Sequence, residues 1–170
     1  MSLSRRHLAI ASGLVVAALG MAWAMGVGTR RAPAPQVHYT LLDGRQVSTD
    51  QFKGQVLLIN FWATSCTSCV GEMPEIVATF EKYRGRGFQA VAVSMSYDPP
   101  ASVASFAEAR KLPFGVAIDN TGEIARSFGQ VQLTPTSFLI NKRGEIVKRY
   151  VGAPDFAALH ALVEQLLAET

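Results

Sequence analysis

The stretch "QVLLINFWATSCTSCVGEMP", Gln55 to Pro74, changes character partway along. Gln55 to Ala63 is a continuous apolar run, the pattern of a central strand buried on both faces. From Cys66 to about Arg84 the pattern becomes helical. The only two cysteines of the chain, Cys66 and Cys69, sit at this strand-to-helix junction, three residues apart. A thiol there is exposed at the end of a sheet and lies at the positive end of a helix dipole. Both conditions favour the thiolate, the reactive form. Cys69 follows by almost one helical turn, close enough to attack a mixed disulfide on Cys66. Cys66 is the candidate nucleophile and Cys69 its resolving partner.

Other uses of cysteine fit less well. A structural zinc site needs about four ligands, and Cys-x-x-C supplies half of them. His7, His38 and His160 are scattered along the chain, so a metal site is not expected, and a copper-carrying module lacks a clear third ligand. A static bridge across two residues closes too short a loop to add much stability. A peroxidatic cysteine would have Pro seven residues before it and Thr three before it, where this chain has Ile59 and Ala63.

Outward from the motif, "VHYTLLDGRQVS" reads as two short strands around Asp43-Gly44, a hairpin signal. Phe88 to Ser96 is a second buried strand, Asp98-Pro99-Pro100 starts a helix to about Lys111, and "FGVAID" is a short strand. "TGEIARSFG" is a short helix, and "PTSFLIN" and "EIVKRYVG" are strands joined by a turn at 141–144. The second of these alternates in polarity, as expected near a sheet edge. Phe156, Leu159, Val163 and Leu166 mark the apolar face of a closing helix. Early strand-helix-strand units imply parallel pairing, and the late strand pair across a tight turn must be antiparallel. The expected fold is α/β, one mixed central sheet with helices on both faces, preceded by an N-terminal hairpin.

The 170 residues suffice for one domain and a tail. Leu8 to Gly28 contains no charged residue, Arg5-Arg6 precede it and Arg30-Arg31 follow it. A bilayer span needs roughly 20 apolar residues. Residues 1–7 are therefore expected to be a cytoplasmic n-region, 8–28 a single membrane-spanning signal-anchor, 29–36 a linker and 37–170 the folded domain. Ala22-Trp23-Ala24 is a small-x-small pattern, so a signal peptide cleaved after Ala24 is the alternative. Ser4 to Leu8 resembles a twin-arginine export signal, although two arginines held on the cytoplasmic side account for it as well. The sequence pI is about 9.1, but four basic residues flank the apolar run. Residues 36–170 carry 12 Lys and Arg against 13 Asp and Glu, which argues against nucleic acid as a partner. A domain beyond the inner membrane meets an oxidising compartment.

"NFWATSCTSC…EMP" together with "LTPTSFLINKRGEIVKRYVG" resembles the thioredoxin-like fold family, and more narrowly its membrane-anchored TlpA/ResA/CcmG group of thiol-disulfide reductases. The likeness covers residues 36 to 168. It implies a periplasmic thiol-disulfide oxidoreductase, monomeric and without cofactor or metal. Such a protein reduces disulfides of exported proteins, of the cytochrome c or copper-site maturation type, and is regenerated by a membrane electron donor of the DsbD/CcdA type. Cys66 and Cys69 take the roles argued above. Pro135 matches the family's cis-proline, which with Thr134 and Trp62 is expected to meet substrate. Pro74 matches the proline that kinks the active-site helix, Asn60 replaces the buried Asp of thioredoxin, and Tyr97 to Phe114 matches an inserted strand-helix unit. Glu72 matches a glutamate of the reductase group. From spacing alone it shares a helix face with Cys69, and is either a proton-exchanging partner of the thiols or an acid near a helix start that meets the dipole and water. Ser65, where many relatives have Trp, and Thr67-Ser68, where x-Pro is commoner, depart from the group and leave the redox direction open. Alternatives are a thiol oxidase or isomerase of the same fold, and a copper-binding metallochaperone module.

Overall fold

A computed structural model describes residues 31–169. Its core is a five-stranded sheet whose strands lie in the order Gly115–Ile118 (β5), Phe88–Ser94 (β4), Val56–Trp62 (β3), Thr136–Ile140 (β6) and Ile146–Val151 (β7). The central strand β3 (Val56–Trp62) is buried at every position, because neighbours flank it on both sides and layers cover both faces. Side chains alternate along it. Val56, Leu58 and Trp62 join the core beneath α1 (Thr67–Tyr83) and α4 (Phe156–Ala168). Leu57, Ile59 and Phe61 face the opposite core, which holds Tyr39, Leu41, Phe128 and Phe138. Asn60 falls in the first register, a polar residue on an apolar face, and it must find partners there.

β3 runs parallel to β4 (Phe88–Ser94), and β4 parallel to β5 (Gly115–Ile118). The crossovers are α1 and α2 (Pro100–Arg110). The short helix α3 (Glu123–Ser127) covers the other face through Ile124 and Ala125. The chain then returns as β6 (Thr136–Ile140), antiparallel to β3, and turns into the antiparallel edge strand β7 (Ile146–Val151). The N-terminal hairpin is β1 (His38–Thr40) with β2 (Gln46–Ser48). It reaches the β5 edge through a bridge between Leu41 and Ala117. The thioredoxin-like α/β arrangement, the mixed sheet and the helices on both faces agree with expectation.

Three details differ. The segment read as a linker, 29–36, is docked from Ala32 onward. Ala34 N–H donates to Gly144 O and Ile146 N–H to Ala32 O, both at 2.8 Å, Pro33 bridges Glu145, and Ala34 is buried. The compact unit therefore begins at Ala32 rather than residue 37. Proline and alanine suggested a solvated spacer, but the β6–β7 turn offers a carbonyl and an N–H that a short extended segment satisfies. Second, Tyr97 to Phe114 contains helix α2 but no strand, since β5 starts at Gly115. Third, Trp62, expected to meet substrate, is wholly buried, its ring 5.0 Å from that of Phe106 on α2. It supports the site from below. The n-region 1–7 and the anchor 8–28 lie outside the described residues. Among the described residues, no helix is long and apolar enough to cross a membrane.

Candidate active site

β3 ends at Trp62 and the chain passes through Ala63, Thr64 and Ser65 to Cys66, the N-cap of α1. An N-cap side chain accepts from the otherwise unpaired N–H groups of the first turn. Here the cap atom is sulfur: Cys66 Sγ accepts from Cys69 N–H at 3.2 Å. The first turn of α1 carries no acidic residue to oppose a developing thiolate. The Ser68 hydroxyl lies 3.5 Å from the same sulfur. Cys66 and Cys69 are joined as a disulfide, with Cα atoms 5.2 Å apart. Cys66 is partly accessible and Cys69 fully buried. An incoming disulfide can therefore reach Cys66 alone.

The second wall comes from β6. Thr136 pairs with Phe61, so the residue before it, Pro135, comes opposite Trp62 at the sheet end from which Cys66 departs. The Thr134-Pro135 peptide bond is cis, as expected. Gly152 N–H donates to Pro135 O at 2.8 Å, tying this loop to the end of β7. The Pro135 ring is buried and Thr134 half-buried, whereas Leu133 is 66% exposed.

Behind the cysteines lies the group that Asn60 requires. Its Nδ2 donates to Glu72 Oε1 at 2.9 Å and to Ser137 Oγ at 3.0 Å. Glu72 is only 5% exposed, so it is not an acid resting in water at a helix start. Burial pushes its carboxyl from 4.5 up to about 7, against the opposing pull of the Asn60 hydrogen bond. Glu72 Oε2 and Asn60 Oδ1 have no hydrogen-bond partner among the described residues. Cys69 and Glu72 thus stand one turn apart on α1, both buried. Pro74, one turn after Val70, withdraws an N–H from the α1 ladder. Among the described residues, no group of three His, Cys, Asp or Glu side chains is placed to hold a metal ion.

Three contributors were not visible as such in the sequence. Ser68 registered only as a departure from x-Pro. Ser137 carried no signal until β6 was placed against β3. Asp98, read as part of a helix start, is buried and fastened to the cysteine loop.

The Redoxin family profile matches residues 28–163. The chain belongs to the Redoxin family. It is 36% identical over 119 residues to the thiol-disulfide oxidoreductase ResA of Bacillus thuringiensis subsp. konkukian, covering 70% of this chain and 68% of that one. A Neisseria meningitidis structure described as a thioredoxin is 40% identical, with a TM-score of 0.76 over 82% of this chain and 93% of its own. A thiol:disulfide interchange protein of Chlorobium tepidum is 28% identical, with a TM-score of 0.75 over 82% and 98%. Within the Redoxin family this chain groups with the ResA/TlpA-like enzymes, and its Cys66-Cys69 pair is that of a protein-disulfide reductase.

Proposed function

We propose that this Redoxin-family enzyme works in the periplasm, tethered to the inner membrane through residues 8–28, and reduces disulfides of exported proteins during cytochrome c or copper-site maturation. What carries this reading is the asymmetry of the pair: an accessible Cys66 whose sulfur caps α1, beside a buried Cys69 that only a bond already formed on Cys66 can recruit. The uncharged run Leu8 to Gly28 supports the location.

The Cys66 thiolate attacks one sulfur of the substrate disulfide. That bond breaks, a mixed disulfide forms on Cys66, and the first substrate thiolate leaves and takes up a proton. Cys69 then loses its proton and attacks Cys66 Sγ. The Cys66-Cys69 disulfide forms, the second substrate thiolate leaves, and two electrons have passed from the pair to the substrate. The structure shows this oxidised end state. A membrane dithiol donor of the DsbD/CcdA type returns the electrons. Glu72 takes the proton of Cys69 in the second step: it is the buried acid one turn away, and its carboxyl, raised to about 7, exchanges a proton near neutral pH. Thr134 and the Pro135 loop receive the extended substrate chain.

The full-length Cys69→Ser protein, produced in cells and recovered under acid quench, tests this. Mixed disulfides between Cys66 and exported proteins that carry cytochrome or copper sites are expected. Recovery of cytosolic proteins only, or equal trapping by the Cys66→Ser protein, would overturn it.

A further inference from the structure

The turn after β4 carries a buried carboxylate that the reaction above does not use. Asp98 is 2% exposed. Its Oδ2 accepts from Thr64 N–H at 2.7 Å and from the Ser94 hydroxyl at 3.1 Å, and its Oδ1 accepts from the Thr64 hydroxyl at 2.5 Å. A carboxylate withdrawn from water with three neutral donors is costly to keep unless those donors are held. Thr64 is two residues before Cys66, in the only link between β3 and α1. The backbone of that link is otherwise closed by Cys66 N–H to Ala63 O at 3.1 Å. The turn itself is fixed to the sheet end, since Met95 N–H donates to Trp62 O and Asp98 N–H to Met95 O, both at 3.0 Å. The neighbouring side chain, Tyr97, places its hydroxyl 3.4 Å from that of Thr134. One turn therefore touches both the cysteine loop and the proline loop.

We propose that Asp98 is a positioning residue for Cys66: by gripping both donors of Thr64 it fixes the cysteine loop against the sheet end and keeps the nucleophilic sulfur at the N-cap of α1. The inference builds on Cys66 as nucleophile. Bonds to Thr64 N–H and hydroxyl set the position and rotation of the Ala63–Thr64 peptide. Without them the Ala63–Cys66 link can rock once the pair is reduced, and the approach of Cys69 N–H to Cys66 Sγ, 3.2 Å in the disulfide form, lengthens on average. That contact is charge-assisted in the thiolate and steep in distance, so loosening the loop weakens thiolate stabilisation.

The experiment is a pH–rate profile for alkylation of Cys66 by iodoacetamide in the reduced full-length protein, with labelled cysteines assigned by peptide mapping. Thr64→Val removes the hydroxyl donor and leaves the carboxylate in place; Asp98→Asn replaces one of the two accepting oxygens with an NH2, so that the side chain no longer accepts from both Thr64 donors. The expected result is a Cys66 profile displaced to higher pH in both, with alkylation at pH 6.5 slowed three- to tenfold and the limiting rate at high pH retained. Thr64→Ser, which restores the hydroxyl, should return the wild-type profile. Where Asp98→Asn does not fold, Thr64→Val against Thr64→Ser decides. A folded Thr64→Val protein that melts earlier but keeps the wild-type profile would show a purely structural role and overturn the proposal. So would a profile moved to lower pH in Asp98→Asn and unmoved in Thr64→Val, because Asp98 would then act through its charge. Wild-type labelling on Cys69 instead of Cys66 would refute the nucleophile assignment itself, a result separate from either of these.

Discussion

Replacing Glu72 by glutamine should remove a pH dependence from the stability of the protein. The carboxyl is displaced from 4.5 to about 7 by burial, which corresponds to about 3 kcal/mol of preference for the neutral acid in the folded chain. The folded value lies above the unfolded one. The stability it represents is therefore complete below about pH 4.5, falls as the unfolded chain ionises first, and is gone once pH passes about 7. Wild-type protein in the oxidised state should lose about 3 kcal/mol through this group between pH 4.5 and 7.5. The glutamine variant cannot ionise and should lose none. Its amide can still accept from Asn60 Nδ2, but an NH2 then occupies the place of Oε2, which has no partner among the described residues. An unpaired buried donor costs about 1–3 kcal/mol at every pH, so the informative quantity is the change with pH rather than the absolute value. Urea unfolding at pH 4.5, 6 and 7.5, followed by far-UV circular dichroism, measures it. Every other titrating group is common to the two proteins and cancels. Parallel pH dependences in wild type and Glu72→Gln would refute the reasoning, since the carboxyl would then ionise in the folded protein as easily as in water.

The remaining expectations concern the sulfur, the docked segment and the resolving step. Ser68→Ala should raise the Cys66 thiol pKa by about half a unit, because a hydroxyl 3.5 Å from the sulfur is lost; thiolate absorbance at 240 nm against pH reports it, and an unmoved titration would remove Ser68 from the site. A chain of residues 32–170 should fold and reduce insulin, whereas one of residues 37–170 should be less stable by about 2 kcal/mol, the worth of two backbone hydrogen bonds at 32–34; equal urea midpoints would contradict this. In single-turnover experiments on the Redoxin enzyme, Glu72→Gln should slow release of the second substrate thiol while leaving mixed-disulfide formation near the wild-type rate. Equal slowing of both steps would separate Glu72 from Cys69.

The parts of the fold that depend on local pattern were legible. β3 was readable because a seven-residue run with six apolar residues has few alternatives, and the helix after Cys66 because the periodicity changes there. β7 showed its edge position in alternating Ile146 to Val151. What depended on register was not legible. Which of the two cores Asn60 entered turned on which face of β3 it occupied, and Ser137 reached it only through the Asn60–Ser137 pairing of β3 with β6. Trp62 misled for the same reason: an aromatic beside a catalytic loop looks accessible until alternation turns it inward onto Phe106. Asp98 was hidden by its neighbours, since Asp-Pro-Pro is a sufficient signal for a helix start and leaves no residue to explain. The docked Ala32 to Ala34 segment could not be read either, because its hydrogen bonds are to a turn more than a hundred residues away.

That docking gives the domain a polarity. The chain enters beside Gly144, in the turn after Ile140, and Ile140 is level with Leu57 near the start of β3. The sulfurs stand beyond Trp62, at the finish of the same strand. Seven residues of strand separate the two ends, about 20 Å. A pull on the polypeptide at Ala32 would thus be delivered to one pole of the sheet, through bonds to the β6–β7 turn, with the cysteines at the other. Immobilising the domain by its first residues on a sensor surface would leave the redox pole pointing outward, like a contact at the tip of a short post.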